Sequence, residues 1–330
     1  MACMTQDQRR KILIASGALL VAPLPSMVQS AQRTPRIGFL SPTMRGSRNE
    51  AFVQGLRELG YVVGTDIHVD MRFSDGRAER LDALAQELIR LKVDVLVVGG
   101  TIGARAAMRT TTTVPIVFAG SGDPIAGGIV ANLARPQGNI TGFSLAYGDG
   151  FAGKWLELLK EAASGVTHYA ALWSSSNAAA AGFVKELQAA ARALHAKLDA
   201  HLASNVSELE HALAAIGASG ARGMVVTPSP FAVTQLDRYV QFASDKRLPT
   251  MYFAEEFVDA GGLMSYGPSI ADSYRRAASY VDKILKGAMP ADLPVQQPTI
   301  FDFVLNLKTA RKLELKIPQS TLIRASRIVE

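Results

Sequence analysis

VDVLVV, residues 93–98, followed by Gly99, Gly100 and Thr101, decides the fold. Five of its six residues are apolar, four are β-branched valines, and the run is too short for a core helix. An apolar run without polar alternation marks a strand buried on both faces, as in a parallel sheet covered by helices on each side. The flanking segments agree. Upstream lie Arg36–Ser41 (RIGFLS), a short strand ending in Ser-Pro; Asn49–Leu59, with helical spacing; Ile67–Phe73, alternating at period two; and Ala78–Leu91, an amphipathic helix. Downstream, Thr101–Arg109 is helical and Val114–Ala119 (VPIVFA) is another strand. Alternation of strand and helix predicts an α/β fold with a doubly wound parallel sheet.

A second series of the same kind follows. Val166–Trp173 (VTHYAALW) is a strand, Ala178–Leu194 an alanine-rich helix, Lys197–Ala203 a strand, Val206–Ile216 a helix and Gly223–Thr227 (GMVVT) a strand. A helix near Thr234–Ser244 and the strand Pro249–Phe253 close the series. The reading is two doubly wound lobes joined by a hinge, with a cleft between them. The joint is placed at Gly138–Gly150, which holds Gly138, Gly142, Gly148 and Gly150. Beyond it, Gly261–Gly267 is a glycine-flanked strand, Ile270–Lys286 a long helix, Met289–Pro298 an extended connector with three prolines, and Phe301–Leu305 a last strand. Such an order suits a chain that crosses back between lobes.

Composition sets the class. The chain has 330 residues, 48% of them hydrophobic and 19% charged, enough for two cores, with one large domain as the alternative. Residues 1–30 are expected to be a signal peptide: Arg9, Arg10 and Lys11 precede the apolar run Ile12–Leu24, which is shorter than the roughly 20 residues a membrane-spanning helix needs. Val28 and Ser30 suit the positions three and one before a cut. Either a Sec or a twin-arginine (Tat) signal fits, and both lead to a periplasmic location. Cleavage after Ser30 removes Arg9, Arg10, Lys11 and Asp7, taking the formal charge from +6 to +4. It also removes Cys3, the single cysteine, leaving no thiol to mispair in an oxidising compartment. The remaining charge is spread along the chain without a basic block, which speaks against a nucleic-acid partner.

Catalytic signatures fail one by one. Gly99-Gly100-Thr101-Ile102-Gly103 lacks the glycine spacing of a dinucleotide loop, no Walker-type loop occurs, and Ser121 lacks the flanking glycines of a hydrolase elbow. His68, His168, His195, His201 and His211 form no metal-ligand pairing. The expectation is no enzyme, no metal and no cofactor. What does recur is polar residues where strands end, the place where open α/β sheets bind ligands. Ser41, Thr101, Ser121 and Asp123 hold these positions in the first lobe; Ser174, Ser175, Ser176, Asn177, Thr227 and Tyr252 hold them in the second. Each also suits a helix cap or turn, and Asp123 before Pro124 is the plainest case. Tyr252, Phe253 and Tyr266 are candidates for a stacking wall, with Glu255 and Glu256 at the rim. The candidate ligand-binding set is Ser41, Thr101, Ser121, Asp123, Ser175, Asn177, Thr227, Tyr252, Glu256 and Tyr266, suited to an uncharged polar or zwitterionic small molecule.

Four segments in order, VPIVFAGSGDPIAGGIV, LARPQGNITGFS, FVDAGGLMSYGPS and KILKGAMPADLPVQQPTIFDFVLNLKTARKL, resemble the ABC-transporter substrate-binding proteins of the tryptophan/tyrosine-type periplasmic-binding family, from about Arg36 onward. Gln137 stands where that family commonly has the second glycine of a Pro-Gly-Gly-Asn turn; it is expected to stiffen the turn without touching ligand. The resemblance implies a type I periplasmic-binding fold with three crossovers, closure on a small molecule and delivery to an ABC permease in the membrane. It implies no catalytic residue. With it, residues 31–145 completed by about 268–298 form one lobe, and residues 146–267 completed by about 299–330 form the other. The protein is expected to act as a monomer on an aromatic amino acid or another small polar molecule. A ligand-sensing module for a membrane receptor and a secreted enzyme on the same scaffold are the alternatives; a cytoplasmic repressor is excluded because residues 1–30 cannot make a DNA-reading domain. N-terminal sequencing of the protein recovered from the periplasm of an expressing bacterium should read from Ala31, and a mature chain beginning at Met1 would refute the leader.

Overall fold

The structure is a computed structural model that describes residues 33–145, 150–175 and 179–330; the proposed leader and Asn177 lie outside the described residues. The first sheet contains β1 (Arg36–Ser41), β2 (His68–Phe73), β3 (Val95–Val98), β4 (Ile116–Ser121) and β5 (Ile140–Ser144), all parallel, in the order β2-β1-β3-β4-β5. Helices α1 (Ser47–Glu58), α2 (Leu81–Arg90) and α3 (Gly100–Thr110) connect the strands. The VDVLVV segment is the central strand, and its residues divide by parity. Val95 and Val97 enter a core with Phe39, Phe52 and Leu56, while Leu96 and Val98 enter another with Leu84, Leu88 and Ala104. Both faces are dry, so a polar residue has no place on either.

The second sheet contains β6 (His168–Trp173), β7 (Lys197–Leu202), β8 (Gly223–Val226), β9 (Thr250–Tyr252), β10 (Met264–Pro268), β11 (Phe301–Asn306) and β12 (Arg327–Val329). Their order is β12-β11-β10-β9-β8-β6-β7. Helices α4 (Phe151–Ala162), α5 (Ala180–Ala193), α6 (Val206–Ser219), α7 (Pro230–Thr234), α8 (Leu236–Asp245) and α9 (Glu255–Asp259) belong with it, and α10 (Ile270–Leu285), α11 (Leu307–Lys312) and α12 (Gln319–Arg324) follow. Trp155, Tyr169, Met224, Met251 and Phe257 centre its core. His168 on β6 is satisfied within the sheet by Asp199 on β7, at 2.7 Å.

Three features depart from the sequence reading. The glycine-rich joint contains a fully buried strand, β5, which extends the first sheet to Ser144. Gly142 looks like a loop residue in sequence, yet it is there because β4 comes too close for a side chain: a Cβ would lie 2.1 Å from the Phe118 carbonyl oxygen. Second, the sheet is not wholly parallel, since β10 and β11 pair antiparallel, Met264 opposite Leu305. A strand arriving directly from the other lobe is free of the crossover rule that makes βαβ units parallel. Third, a separate helix, α7, precedes α8; its cap is Ser229, whose hydroxyl accepts from the Ala232 amide, with Pro230 in the first turn.

Helix α10 follows a strand of the second sheet yet packs in the first lobe. Tyr274, Ala277, Ala278 and Val281 share a core with Phe39, Phe52 and Leu56. Its backbone lies against α1 so closely that a Cβ on Gly55 would stand 2.2 Å from the Arg275 carbonyl oxygen. The chain therefore passes between sheets three times: after Ser144, at Pro268–Ser269, and between Gln296 and Phe301. The last two passages are tied by the Ser269 amide donating to Ile300 (3.0 Å), and the third is tied to β5 through Ser144 and Gln296 (2.8 Å).

Gln137 is exposed and holds φ +64, followed by Gly138 at the same φ. A side chain in the left-handed region is strained, and glycine relieves it. Gln137→Gly should raise stability by about 0.5–1 kcal/mol in chemical denaturation; an unchanged or lowered midpoint would contradict the strained turn.

Candidate ligand-binding cleft

In an open parallel sheet the crevice forms where strand order reverses, outside the carboxyl ends. In the first sheet that point lies between β1 and β3, and in the second between β6 and β8. The residues just past these strand ends meet in one cavity between the lobes, about 80 Å³ in volume. Pro42 follows β1, Gly100 and Thr101 follow β3, and Gly120 and Gly122 flank the end of β4. From the second lobe come Pro228, Ser229 and Pro230 after β8, and Phe253 after β9.

The wall is mostly apolar: Ile102, Leu145, Val233, Phe253, Ile270 and the three prolines. Among the described lining residues Arg48 is the one charged side chain. It sits in the first turn of α1, 15% exposed, and its Nε donates to Glu256 of α9 at 3.3 Å, so the pair spans the two lobes. Tyr274, at the start of α10, stands beside it. Its hydroxyl occupies the space a Cβ on Gly99 would take, 2.5 Å away, and its ring packs on Phe39 at 6.0 Å. Burial pushes the Tyr274 phenol above its ordinary pKa, with Arg48 pulling part of the way back, so it is a neutral hydroxyl at physiological pH. The N-terminus of α3 also opens here through Gly100, Thr101 and Ile102. Its first-turn N–H groups have no partner within the helix and carry the positive end of its dipole. The cleft thus offers a cation and oriented N–H donors together with an aromatic, aliphatic surface.

Of the ten residues proposed from sequence, Thr101 lines this cavity. Ser121 stands directly behind it, buried, with its Oγ 2.8 Å from the Thr101 hydroxyl, and holds that side chain in place. Glu256 reaches the cleft through its pair with Arg48. Ser41 is buried at the end of β1, bonded to Thr43 at 3.0 Å, and its neighbour Pro42 is the residue that faces the cavity. Thr227 is buried immediately before Pro228. Asp123 is exposed and caps its own turn, accepting from the Ile125 and Ala126 amides at 2.9 Å. Ser175 is bonded to Ser204 at 3.0 Å. The proposed stacking wall is divided: Phe253 faces the cleft, Tyr252 is buried against Phe257, and Tyr266 stacks on Phe151 with ring centres 5.1 Å apart. Sequence reasoning passed over Arg48, Tyr274 and Ser229. Ser229 had a readable signal, a cap flanked by prolines two residues past a strand end. Arg48 and Tyr274 lie within helices, and nothing local marks them.

Residues 38–329 match the family model of ABC transporter substrate binding proteins. The chain belongs to this family. A curated relative, the tyrosine-binding protein of Clostridioides difficile strain R20291, is 22% identical over 268 residues, covering 81% of this chain and 76% of that one. The ABC domain of Streptococcus pneumonia, solved in complex with L-Trp, superposes with a TM-score of 0.82 at 25% identity, covering 90% of this chain and all of that one. A conserved domain protein from Vibrio cholerae O1 biovar El Tor strain N16961 gives a TM-score of 0.82 at 24% identity over the same 90% of this chain. The fold is the type I periplasmic-binding fold, and the protein is a substrate-binding component of an ABC transporter, taking a small ligand for delivery to a permease.

The Arg48–Glu256 pair is partly screened by solvent, 15% and 24% exposed, so it contributes about 1 kcal/mol to the contact between lobes. Glu256→Gln should therefore lower the closed-to-open ratio of the protein about fivefold, seen in X-ray scattering as a larger radius of gyration; superimposable profiles would remove the pair from closure.

Proposed function

We propose that this substrate-binding protein is an exported, non-enzymatic monomer whose ligand is a small carboxylate with an aromatic body, the aromatic amino acids included. The observation that carries the reading is that Arg48, the one charged side chain among the described lining residues, shares the cavity with the α3 N-terminus, Phe253 and an otherwise apolar wall, with Tyr274 beside it. A carboxylate there takes charge-assisted hydrogen bonds from Arg48 and N–H groups of α3. An aromatic ring covers the apolar surface and releases water from it. The tyrosine and tryptophan named for the two relatives support the same class. The wall is more apolar than the hydroxyls at the strand ends implied, which favours a ring over a sugar.

Ligand bound between lobes favours closure only through its extra affinity for the closed form. Contacts from both lobes supply that difference, since the cavity takes its lining from each. Closure turns on the three passages of chain between the sheets, and the closed pair of lobes presents one surface to the permease. The leader in residues 1–30 places the carrier in the periplasm.

A thermal-shift series over tryptophan, tyrosine, phenylalanine, benzoate and tryptamine tests the ligand class. A ligand at a hundredfold excess over its Kd stabilises by roughly 2.7 kcal/mol, so binders should raise the melting temperature clearly, while tryptamine, which lacks the carboxylate, should not. Arg48→Met should weaken the best binder about 10- to 100-fold. Shifts from sugars or nucleosides with none from the aromatic carboxylates would overturn the assignment.

A further inference from the structure

A second cavity, about 440 Å³, opens in the second lobe between the end of α8, the turn after α9, and α11. It is separate from the cleft, and consecutive residues divide them: Phe253 lines the cleft and Tyr252 lines this cavity. The Tyr252 side chain is 0% exposed and its hydroxyl has no hydrogen-bond partner among the described residues. The ring is held by Phe257, stacked at 4.8 Å, and by Gly262, where a Cβ would come within 2.6 Å of it. Burial pushes the phenol above its ordinary pKa, with the nearby Thr250 side chain pulling part of the way back, so the group is a neutral O–H donor. A buried donor left unpaired is costly, and a native structure that keeps one calls for a reason.

The other polar groups of this cavity are mostly engaged. Thr250 donates to the Leu248 carbonyl (2.9 Å), Thr309 to the Gly261 carbonyl (2.8 Å) and Asn306 to the Val258 carbonyl (3.2 Å). Arg247 is paired with Glu314 and Asp259 with Arg327. Lys308 and Lys312, one turn apart on α11, have no ion pair among the described residues, and Glu330 is the carboxylate that shares the rim with them. The apolar lining includes Val240, Leu248, Leu263 and Leu313.

We propose that this cavity is a second binding site, for a small organic carboxylate: the anion faces Lys308 and Lys312, the body lies on the apolar walls, and a second oxygen accepts from the Tyr252 hydroxyl. The site stands on the second lobe alone and does not rest on the ligand assigned to the cleft.

3-Bromo-4-hydroxybenzoate has the required carboxylate, ring and second oxygen, and its bromine is located by anomalous scattering. Crystals of the full chain soaked in it should show a bromine peak in the Tyr252 cavity, and low-salt calorimetry should show a matching affinity in solution. Lys308→Ala with Lys312→Ala should weaken that affinity about tenfold, and Tyr252→Phe about fivefold. The lysine pair is exposed, so its variant should fold normally and bind the cleft ligand as before. A bromine peak confined to the cleft, no peak at all, or a cavity peak whose solution affinity neither variant changes (binding at crystal concentration only) would each overturn the proposal. A cavity peak with no binding in the cleft would leave it standing while removing support from the cleft assignment.

Discussion

The packing of α10 on α1 is the constraint from which the arrangement of the cleft follows. The helix comes after a strand of the second sheet, yet its apolar face, Tyr274, Ala277, Ala278 and Val281, completes the core of the first lobe. Burying those side chains elsewhere would leave Phe39 and Phe52 open to water. The chain must therefore leave the second lobe at Pro268 and return to it before Phe301. With the passage after Ser144 this makes three connections side by side, which hold two lobes in register while leaving them able to turn. Gly55 makes the contact possible, because helices this close admit no side chain at the crossing.

The same helix brings chemistry to the cleft. Near its start it carries Tyr274 to the ends of β1 and β3, beside Arg48 of α1, so one packing interface positions the phenol and the cation together. The strand ends supply the rest: Gly100 and Thr101 at the start of α3, and Pro228, Ser229 and Pro230 after β8 of the second sheet. Charge is sparse in this wall. A guanidinium held by Glu256 in an otherwise apolar wall favours a ligand that brings one negative group and an apolar remainder.

Much of the framework was legible locally. VDVLVV, RIGFLS and GMVV read as buried strands because both faces of a parallel sheet exclude polar side chains, and the helices between them read from their periodicity. Reading failed where a local signal had two meanings. Gly142 marks close packing of β5 on β4, yet a glycine among Pro136, Gly138 and Gly148 reads as a loop. The strand-end polar residues divided in the same way: Thr101 faces the cavity, while Asp123 and Ser175 satisfy turns and loops near their own strand ends, a use that sequence cannot tell from ligand contact because the hydrogen-bonding group is the same.

By itself the sequence determined two α/β lobes, the strand ends at which a ligand would collect, and a family whose members carry solutes to permeases; these follow from periodicity, burial and a set of ordered segments. Only the tertiary structure decided which side chains form the wall. Arg48, Tyr274 and Phe253 come from three elements far apart in the chain and meet because α10 returns to the first lobe and the sheets face each other. It also decided that Tyr252 and Phe253, neighbours in sequence, serve different cavities. Successive residues of an extended chain point to opposite sides, and what lies on each side is set by packing that no local pattern encodes.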